Sequence, residues 1–294
     1  MPKKVLLFVI ILSTYLLLWP VPIDPVSWEA PKDQGFVGDF EQNTRLETIE
    51  IINLPDTHGP EGLALKGSEI YAATREGWIV RYNEGTGEQI KWVNTVGSPL
   101  GLVFDKENNL LIADAYKGLL KVTPSGELSV LTRTVNGTDI DYADDLDITA
   151  DGKIYFSDAS TKFGAHMGGT YAASLLDTME HGGHGRLLVY DPIDESTKIL
   201  MDGLNFANGV AADANSEFIL VNETGGYRIH KYWLKGPKTG QSDVLIDNLP
   251  GFPDNIVRGR DGRFWVGLVS PRSKALDNLS SSPILRKVVQ RLPA

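Results

Sequence analysis

The sequence predicts an all-β domain of the β-propeller type, carried behind an N-terminal membrane helix. Three observations predict it. Short β-type runs alternate with turn residues along most of the chain. One two-strand pattern recurs with a nearly constant period. The first segment is almost wholly apolar behind a pair of lysines.

That first segment runs from Val5 to Trp19 and follows Lys3 and Lys4, the layout of a secretory signal or signal anchor. A full span takes about 20 apolar residues, and Pro20, Val21, Pro22 and Ile23 nearly complete it. No small-x-small cleavage pattern precedes Trp28, so residues 1–23 are expected to remain as an uncleaved anchor. The basic end would stay cytoplasmic, leaving everything after about residue 24 on the extracytoplasmic side, whether periplasmic, lumenal or extracellular. Pro20 to Pro31 is proline-rich, and residues 24–45 read as an extended spacer.

Residues 46–270 hold the repeat. Ile79-Val80-Arg81-Tyr82, Leu119-Leu120-Lys121-Val122 and Leu187-Leu188-Val189-Tyr190 are each closed by turn residues, as strands are. Leu63-Ala64-Leu65 leads to Ile70-Tyr71-Ala72, and Leu102-Val103-Phe104 to Leu110-Leu111-Ile112. The same pattern returns at Leu146, at Val210 and at Ile256. Successive starts at 62, 101, 145, 209 and 255 lie 39, 44, 64 and 46 residues apart. A period of roughly 40–50 residues built from short strands is that of propeller blades. The longest interval holds an insertion, residues 161–185, with a short helix expected at Ala172 to Glu180 as a loop or lid over one end.

Five starts are visible, and no sixth copy follows Ser270, so the C-terminal blade of a six-bladed-type propeller is expected to be missing. Residues 271–294 instead end in a helical pattern, with Ile284, Leu285, Val288, Val289 and Leu292 on one face and basic residues opposite. Such a helix packs on the domain rim or lies on a membrane surface.

Composition excludes several functions. The formal net charge is -10, which does not suit nucleic acid. With no cysteine there is no thiolate metal site and no thiol nucleophile. Nucleophile-elbow, zincin, P-loop and dinucleotide motifs are absent. His181, His184 and His166 read as loop surface before zinc ligands, and His58 as a bystander before a general base. Asn136, Asn222 and Asn278 each open a glycosylation triplet.

In a propeller the innermost strand of each blade lines the axis. The pattern starts carry Glu61, Asp144 with Asp145, Asn208, and Asp254 with Asn255, whereas the second carries Leu100. Any one of these could merely cap a strand entry, since Asp and Asn are common there. Repetition at one phase points instead to carboxylate and amide oxygens converging on one hard cation, with calcium the best match.

Gly59-Pro60-Glu61-Gly62, Pro99-Leu100-Gly101-Leu102, Phe156-Ser157-Asp158-Ala159-Ser160-Thr161-Lys162-Phe163, Phe206-Ala207-Asn208-Gly209-Val210 and Gly251-Phe252-Pro253-Asp254-Asn255-Ile256 together resemble the strictosidine-synthase-like proteins. The likeness is nearest the membrane-anchored branch of the adipocyte plasma membrane-associated proteins. The wider superfamily holds the senescence-marker/gluconolactonase family and the paraoxonases. The resemblance implies a six-bladed propeller with one axial calcium, whose ligands fall on Glu61, Asp144, Asn208, Asp254 and Asn255. The carboxylate that helps hold a second calcium in paraoxonases falls on Gly62, although Asp145 remains. The paraoxonase histidine falls on Leu100, and the strictosidine synthase glutamate lies in the blade that is not evident here. The function implied is a calcium-dependent hydrolase of small esters or lactones, with Asp144 or Asp254 as the base for the attacking water. The alternative is a non-catalytic, calcium-stabilised binding module. Strictosidine-synthase-type condensation stands behind both.

Overall fold

A computed structural model describes residues 3–54 and 56–292. Helix α1 (Lys3–Leu18) leads into an extended segment with one short 3-10 turn at Gly38–Phe40. Four four-stranded antiparallel sheets then follow in chain order. The first is β1 (Leu63–Lys66), β2 (Glu69–Ala73), β3 (Trp78–Asn83) and β4 (Gln89–Asn94). The second is β5 (Pro99–Phe104), β6 (Leu110–Asp114), β7 (Gly118–Val122) and β8 (Leu128–Thr132), trailed by a hairpin of β9 (Thr134–Val135) and β10 (Thr138–Asp139). The third is β11 (Ala143–Ile148), β12 (Ile154–Asp158), β13 (Gly185–Asp191) and β14 (Ser196–Leu204). Helix α2 (Thr170–Glu180) is inserted between β12 and β13. The fourth is β15 (Ala207–Ala212), β16 (Phe218–Glu223), β17 (Arg228–Trp233) and β18 (Ser242–Ile246). A two-stranded sheet, β19 (Gly251–Arg258) and β20 (Phe264–Pro271), and helices α3 (Lys274–Asn278) and α4 (Pro283–Val289) complete the described chain.

Turn chemistry sets the strand ends. Between β3 and β4 the Asn83 side chain accepts from the amides of Gly85 and Thr86 at 3.0 Å each. Between β7 and β8 the Thr123 hydroxyl accepts from the Glu127 amide at 3.1 Å. Both are side-chain mimics of a backbone turn.

Consecutive sheets pack face to face through apolar layers, as propeller blades do. Ile79 and Tyr71 meet Leu110, Ile112 and Leu120 between the first and second sheets. Leu111 and Leu119 meet Phe156 and Leu188 between the second and third. Tyr155 and Leu187 meet Val210 and Val221 between the third and fourth, and Leu220 and Ile229 meet Ile256 after that. The first strands β1, β5, β11, β15 and β19 are neighbours in that order. Their approach is close enough to require glycine. A Cβ on Gly62 would stand 1.9 Å from the Leu100 carbonyl oxygen, and one on Gly209 would stand 2.5 Å from that of Asp254. Carboxylates fasten the same seam, with Asp145 accepting from the Val210 amide (2.9 Å) and Asp147 from that of Ala212 (2.8 Å). No comparable layer joins β19 and β20 to the first sheet among the described residues; Leu63, Leu65, Val257 and Trp265 are exposed there.

Three sequence expectations change. The anchor does not run to Ile23: α1 ends at Leu18, and among the described residues no helix is long and apolar enough to cross a membrane. Pro20 and Pro22 stop the helix, and Ile23 is buried with Leu100, Tyr142, Phe163 and Phe206. The segment after it is extended but is no free spacer. The Val26 amide donates to the Glu180 carbonyl at 2.8 Å, that of Trp28 to Ser280 at 3.2 Å, and the indole stacks on His181 at 3.9 Å. The C-terminal helix is formed by α4, but its apolar face is turned outward rather than packed on the domain rim. Arg286 is fully buried, while Ile284, Leu285, Val289 and Leu292 are exposed.

Candidate metal centre

One backbone device repeats at four of the five axial positions, all but that of Glu61. The ladder slips at Pro99/Leu102 in β5, Ala143/Leu146 in β11, Ala207/Val210 in β15 and Pro253/Ile256 in β19. A β-bulge re-aims the residues inside it. Those residues are Leu100, Asp144, Asn208 and Asp254 with their following neighbours. Glu61 sits just before β1 and is fixed by its amide bond to Ala73 O at 3.1 Å.

The bulges bring Asp144, Asn208 and Asp254 together with Glu61 in the lining of one cavity of about 530 Å³. Its walls include Leu100, Tyr142 and Phe206, with Phe252 from β19 and Tyr171, Ser174 and Leu175 from α2. The insertion thus forms one rim of the funnel, as its length implied. Tyr142 is held by a 2.9 Å bond to the Thr170 carbonyl and an edge contact with Phe206. Asn255 points to the other side of Glu61, into a second cavity of about 560 Å³ that also includes Asp145.

Amides bridge the carboxylates. Asn208 donates to Asp254 Oδ1 at 2.8 Å, and Asn255 to Glu61 Oε1 at 2.9 Å. Asn222, on β16, donates to the Asp254 carbonyl. Four buried oxygens are left without any partner: Glu61 Oε2, Asn208 Oδ1, Asn222 Oδ1 and Asn255 Oδ1. Buried acceptors of that kind are rare unless something binds them. Among the described residues no group of three or more His, Cys, Asp or Glu side chains could hold a metal ion by itself. The set is therefore one of mixed carboxylate and amide oxygens, which is hard-cation chemistry.

The charges press on each other. Burial, more than the neighbouring Asp254 charge, pushes Glu61 up to about 7, against the bond from Asn255. Burial and the Glu61 and Asp254 carboxylates push Asp144 well above the usual carboxylate range. Burial also raises Asp254, and the Asn208 bond opposes it. Three acids that resist ionisation side by side fit a group that brings positive charge.

The remaining expectations fall elsewhere. Asp145 spends both carboxylate oxygens on backbone amides, Leu146 and Val210, at 2.9 Å each. His58 is exposed and pairs with Glu76 at 2.6 Å, away from the funnel. His184 bonds Glu180 and His181 stacks on Trp28, so the two do not share a partner. Asn222 was visible in the sequence only as a glycosylation triplet. Its side chain is fully buried, which removes that reading, whereas Asn136 and Asn278 are exposed. No sequence signal distinguished it, because it lies on the second strand rather than at a pattern start.

Comparison with known proteins agrees with this architecture. The strictosidine synthase profile matches residues 144–237, and a strictosidine synthase-like N-terminal profile matches residues 38–82. The chain is 33% identical over 297 residues to the adipocyte plasma membrane-associated protein of Rattus norvegicus, covering 94% of this chain and 77% of that one. It is 42% identical over 210 residues to strictosidine synthase-like 13 of Arabidopsis thaliana, covering 71% and 50% respectively. Among solved structures, a gluconolactonase from Xanthomonas campestris superposes with a TM-score of 0.59 at 18% identity, covering 71% of this chain and 69% of that one. A calcium-binding regucalcin from Agrobacterium tumefaciens superposes at 0.55 with 15% identity, covering 71% and 67%.

Proposed function

The chain belongs to the strictosidine synthase-like family, in the branch of the adipocyte plasma membrane-associated proteins, and from that footing we propose that it is a calcium-dependent hydrolase of small esters or lactones. The observation that carries the reading is the set of unpartnered oxygens and mutually repelling carboxylates at the axial site. Glu61, Asp144, Asn208 and Asp254 would hold the ion, with Asn222 and Asn255 orienting them from behind. Bound calcium would polarise a substrate carbonyl as a Lewis acid.

The chain's own residues do the rest. Leu100, Phe206 and Phe252 give the funnel an apolar wall that holds a hydrocarbon flank and excludes bulk water. Tyr142 is locked between Phe206 and Thr170 and keeps that wall rigid. Asp144 or Asp254 accepts the proton of the attacking water at a carboxylate oxygen. The domain is read as six-bladed in type, anchored through α1, with the propeller on the extracytoplasmic side.

The test is turnover of a panel of aryl esters and lactones by calcium-loaded protein beside Asp254→Ala. Hydrolysis by the parent and none by the variant supports the reading; equal rates in both sink it. A second reading, a calcium-fastened binding module without catalysis, is favoured by Leu100, which puts an apolar side chain where a proton carrier would be useful. It expects calcium to raise the melting temperature while no ester or lactone turns over. Condensation of strictosidine synthase type ranks behind both.

A further inference from the structure

The helices at the funnel end carry an apolar surface that the site does not use. Helix α1 has no buried residue and no acidic one. Among the described residues its side-chain hydrogen bonds to the domain come from its last turn. There the Tyr15 hydroxyl donates to the Arg291 carbonyl at 2.8 Å, and Arg291 donates to the carbonyls of Trp19 (2.6 Å) and Leu16 (2.9 Å). Helix α4 packs beside that turn with Ile284 73%, Leu285 50%, Val289 40% and Leu292 52% exposed. Its inward residue, Arg286, donates to the carbonyls of Val26, Met179, Glu180 and Ser280. A buried cation therefore fixes which face of α4 looks outward.

We propose that α4 is a second contact with the lipid bilayer that α1 enters, lying in the plane of the interface with Ile284, Leu285, Val289 and Leu292 among the acyl chains. Length argues for it first. The 16 residues of α1 span about 24 Å, against a hydrocarbon thickness of about 30 Å. The shortfall of about 6 Å is close to the 5–10 Å by which an interfacial helix buries its apolar face. Drawing the domain down by α4 lets a short α1 reach across.

Polar satisfaction argues for it next. The last carbonyls of a helix lack partners within it, and lipid supplies none. Arg291 meets two of them from the protein side. The charges near α4 are similarly engaged: Arg286 and Arg291 on carbonyls, and Lys287 on Asp24 at 2.7 Å. Tyr15 and Trp19 then fall at the helix end where interfacial aromatics belong. A second copy or another protein would also cover apolar side chains, but the face is continuous with α1, which is apolar on every side. The proposal rests on reading α1 as a membrane segment and is independent of the hydrolytic reading.

The chain has no cysteine, so single spin labels report cleanly. Labels at Ile284→Cys, Ile10→Cys and Thr86→Cys are compared in the full chain reconstituted in phosphatidylcholine vesicles. Expected is a several-fold preference for oxygen over a water-soluble nickel chelate at positions 10 and 284, and the reverse at 86. A label at 284 that behaves like 86 while 10 reports lipid overturns the proposal and leaves the anchor standing. Aqueous behaviour at both 10 and 284 overturns both. Shielding of 284 from both relaxants with spin–spin broadening assigns the face to a second copy and likewise overturns it.

Discussion

Replacing Glu61 by Gln should stabilise the calcium-free protein at alkaline pH and abolish its response to calcium. Burial and the Asp254 charge raise the Glu61 carboxyl from 4.5 to about 7. Between those values the folded chain holds a proton that the unfolded chain releases. Folding stability is therefore intact below about 4.5 and falls as pH rises towards 7. At about 1.4 kcal/mol per pH unit the loss is about 3 kcal/mol, on the order of 6 °C in melting temperature for a domain of this size. Gln keeps the shape and can still accept from Asn255, but it carries no charge at any pH. Urea denaturation in detergent, followed by tryptophan fluorescence with a chelator present, should show Glu61→Gln exceeding the parent by about 3 kcal/mol at pH 8 and matching it near pH 4.5. With calcium in excess the order reverses, because the parent gains a ligand and the variant has lost one. Equal stability at pH 8 under chelation, or equal calcium stabilisation of the two proteins, would refute the linkage and with it the axial placement of the ion.

Gly209→Ala forces a Cβ to within 2.5 Å of the Asp254 carbonyl oxygen, so it should cost about 1–3 kcal/mol in the urea midpoint and weaken calcium binding measured by calorimetry. Glu223 is pushed up by burial, but bonds from His230 and Arg228 outweigh this and hold it well below the usual range. Its stabilisation is present above its ordinary pKa of 4.5 and is lost as pH falls below that. Glu223→Gln should therefore cost about 2 kcal/mol at pH 7 and flatten the acid limb of the stability profile. Expressed in a eukaryotic secretory pathway, the chain should carry glycan at Asn136 and Asn278 and none at Asn222, read by peptide mass spectrometry; unmodified Asn136 would place the propeller on the cytoplasmic side.

The sheet plan was legible because first strands must approach closely and turns must reverse the chain. The glycines at 62, 101 and 209 mark that approach at three of the five pattern starts, and the recurring strand pattern gives the period. The axial acids were legible for a similar reason: they occupy one phase of the repeat, and all but Glu61 lie inside one recurring bulge. Asn222 was not, since it lies on a second strand, outside the phase of the pattern starts, and meets the site through the Asp254 carbonyl. Nor was the orientation of α4. Helical periodicity showed an apolar stripe, and the usual inference buries it. Arg286 reverses that inference by finding four carbonyls on three segments of the chain, a tertiary arrangement that no local pattern encodes. Val21 and Ile23 were misread similarly, as lipid-facing, because apolar character alone does not say whether protein or lipid covers a side chain.

The seam between the last sheet and the first decides how the ion acts. Every other neighbouring pair of sheets is joined by an apolar layer, but here the hydrogen bond named across the gap is Asn255 to Glu61 at 2.9 Å. Glu61 and Asp254 stand on opposite sides of that seam and repel when ionised. Without positive charge between them, the axial carboxylates work against the one place where the ring of sheets is weakest. A cation there would turn the repulsion into attraction across the seam, so a structural role follows from the placement of the acids whether or not a substrate is turned over. Catalysis asks for something further: a carbonyl must approach the same ion from the funnel side, where Leu100, Tyr142 and Phe206 leave room. A variant that widens that wall without touching an acid, Phe206→Ala, separates the two roles. It should leave calcium-dependent stabilisation in place while changing which esters or lactones are accepted. Unchanged substrate preference would refute the role given to Phe206 in the wall, and no turnover by either protein would leave a fastening role alone.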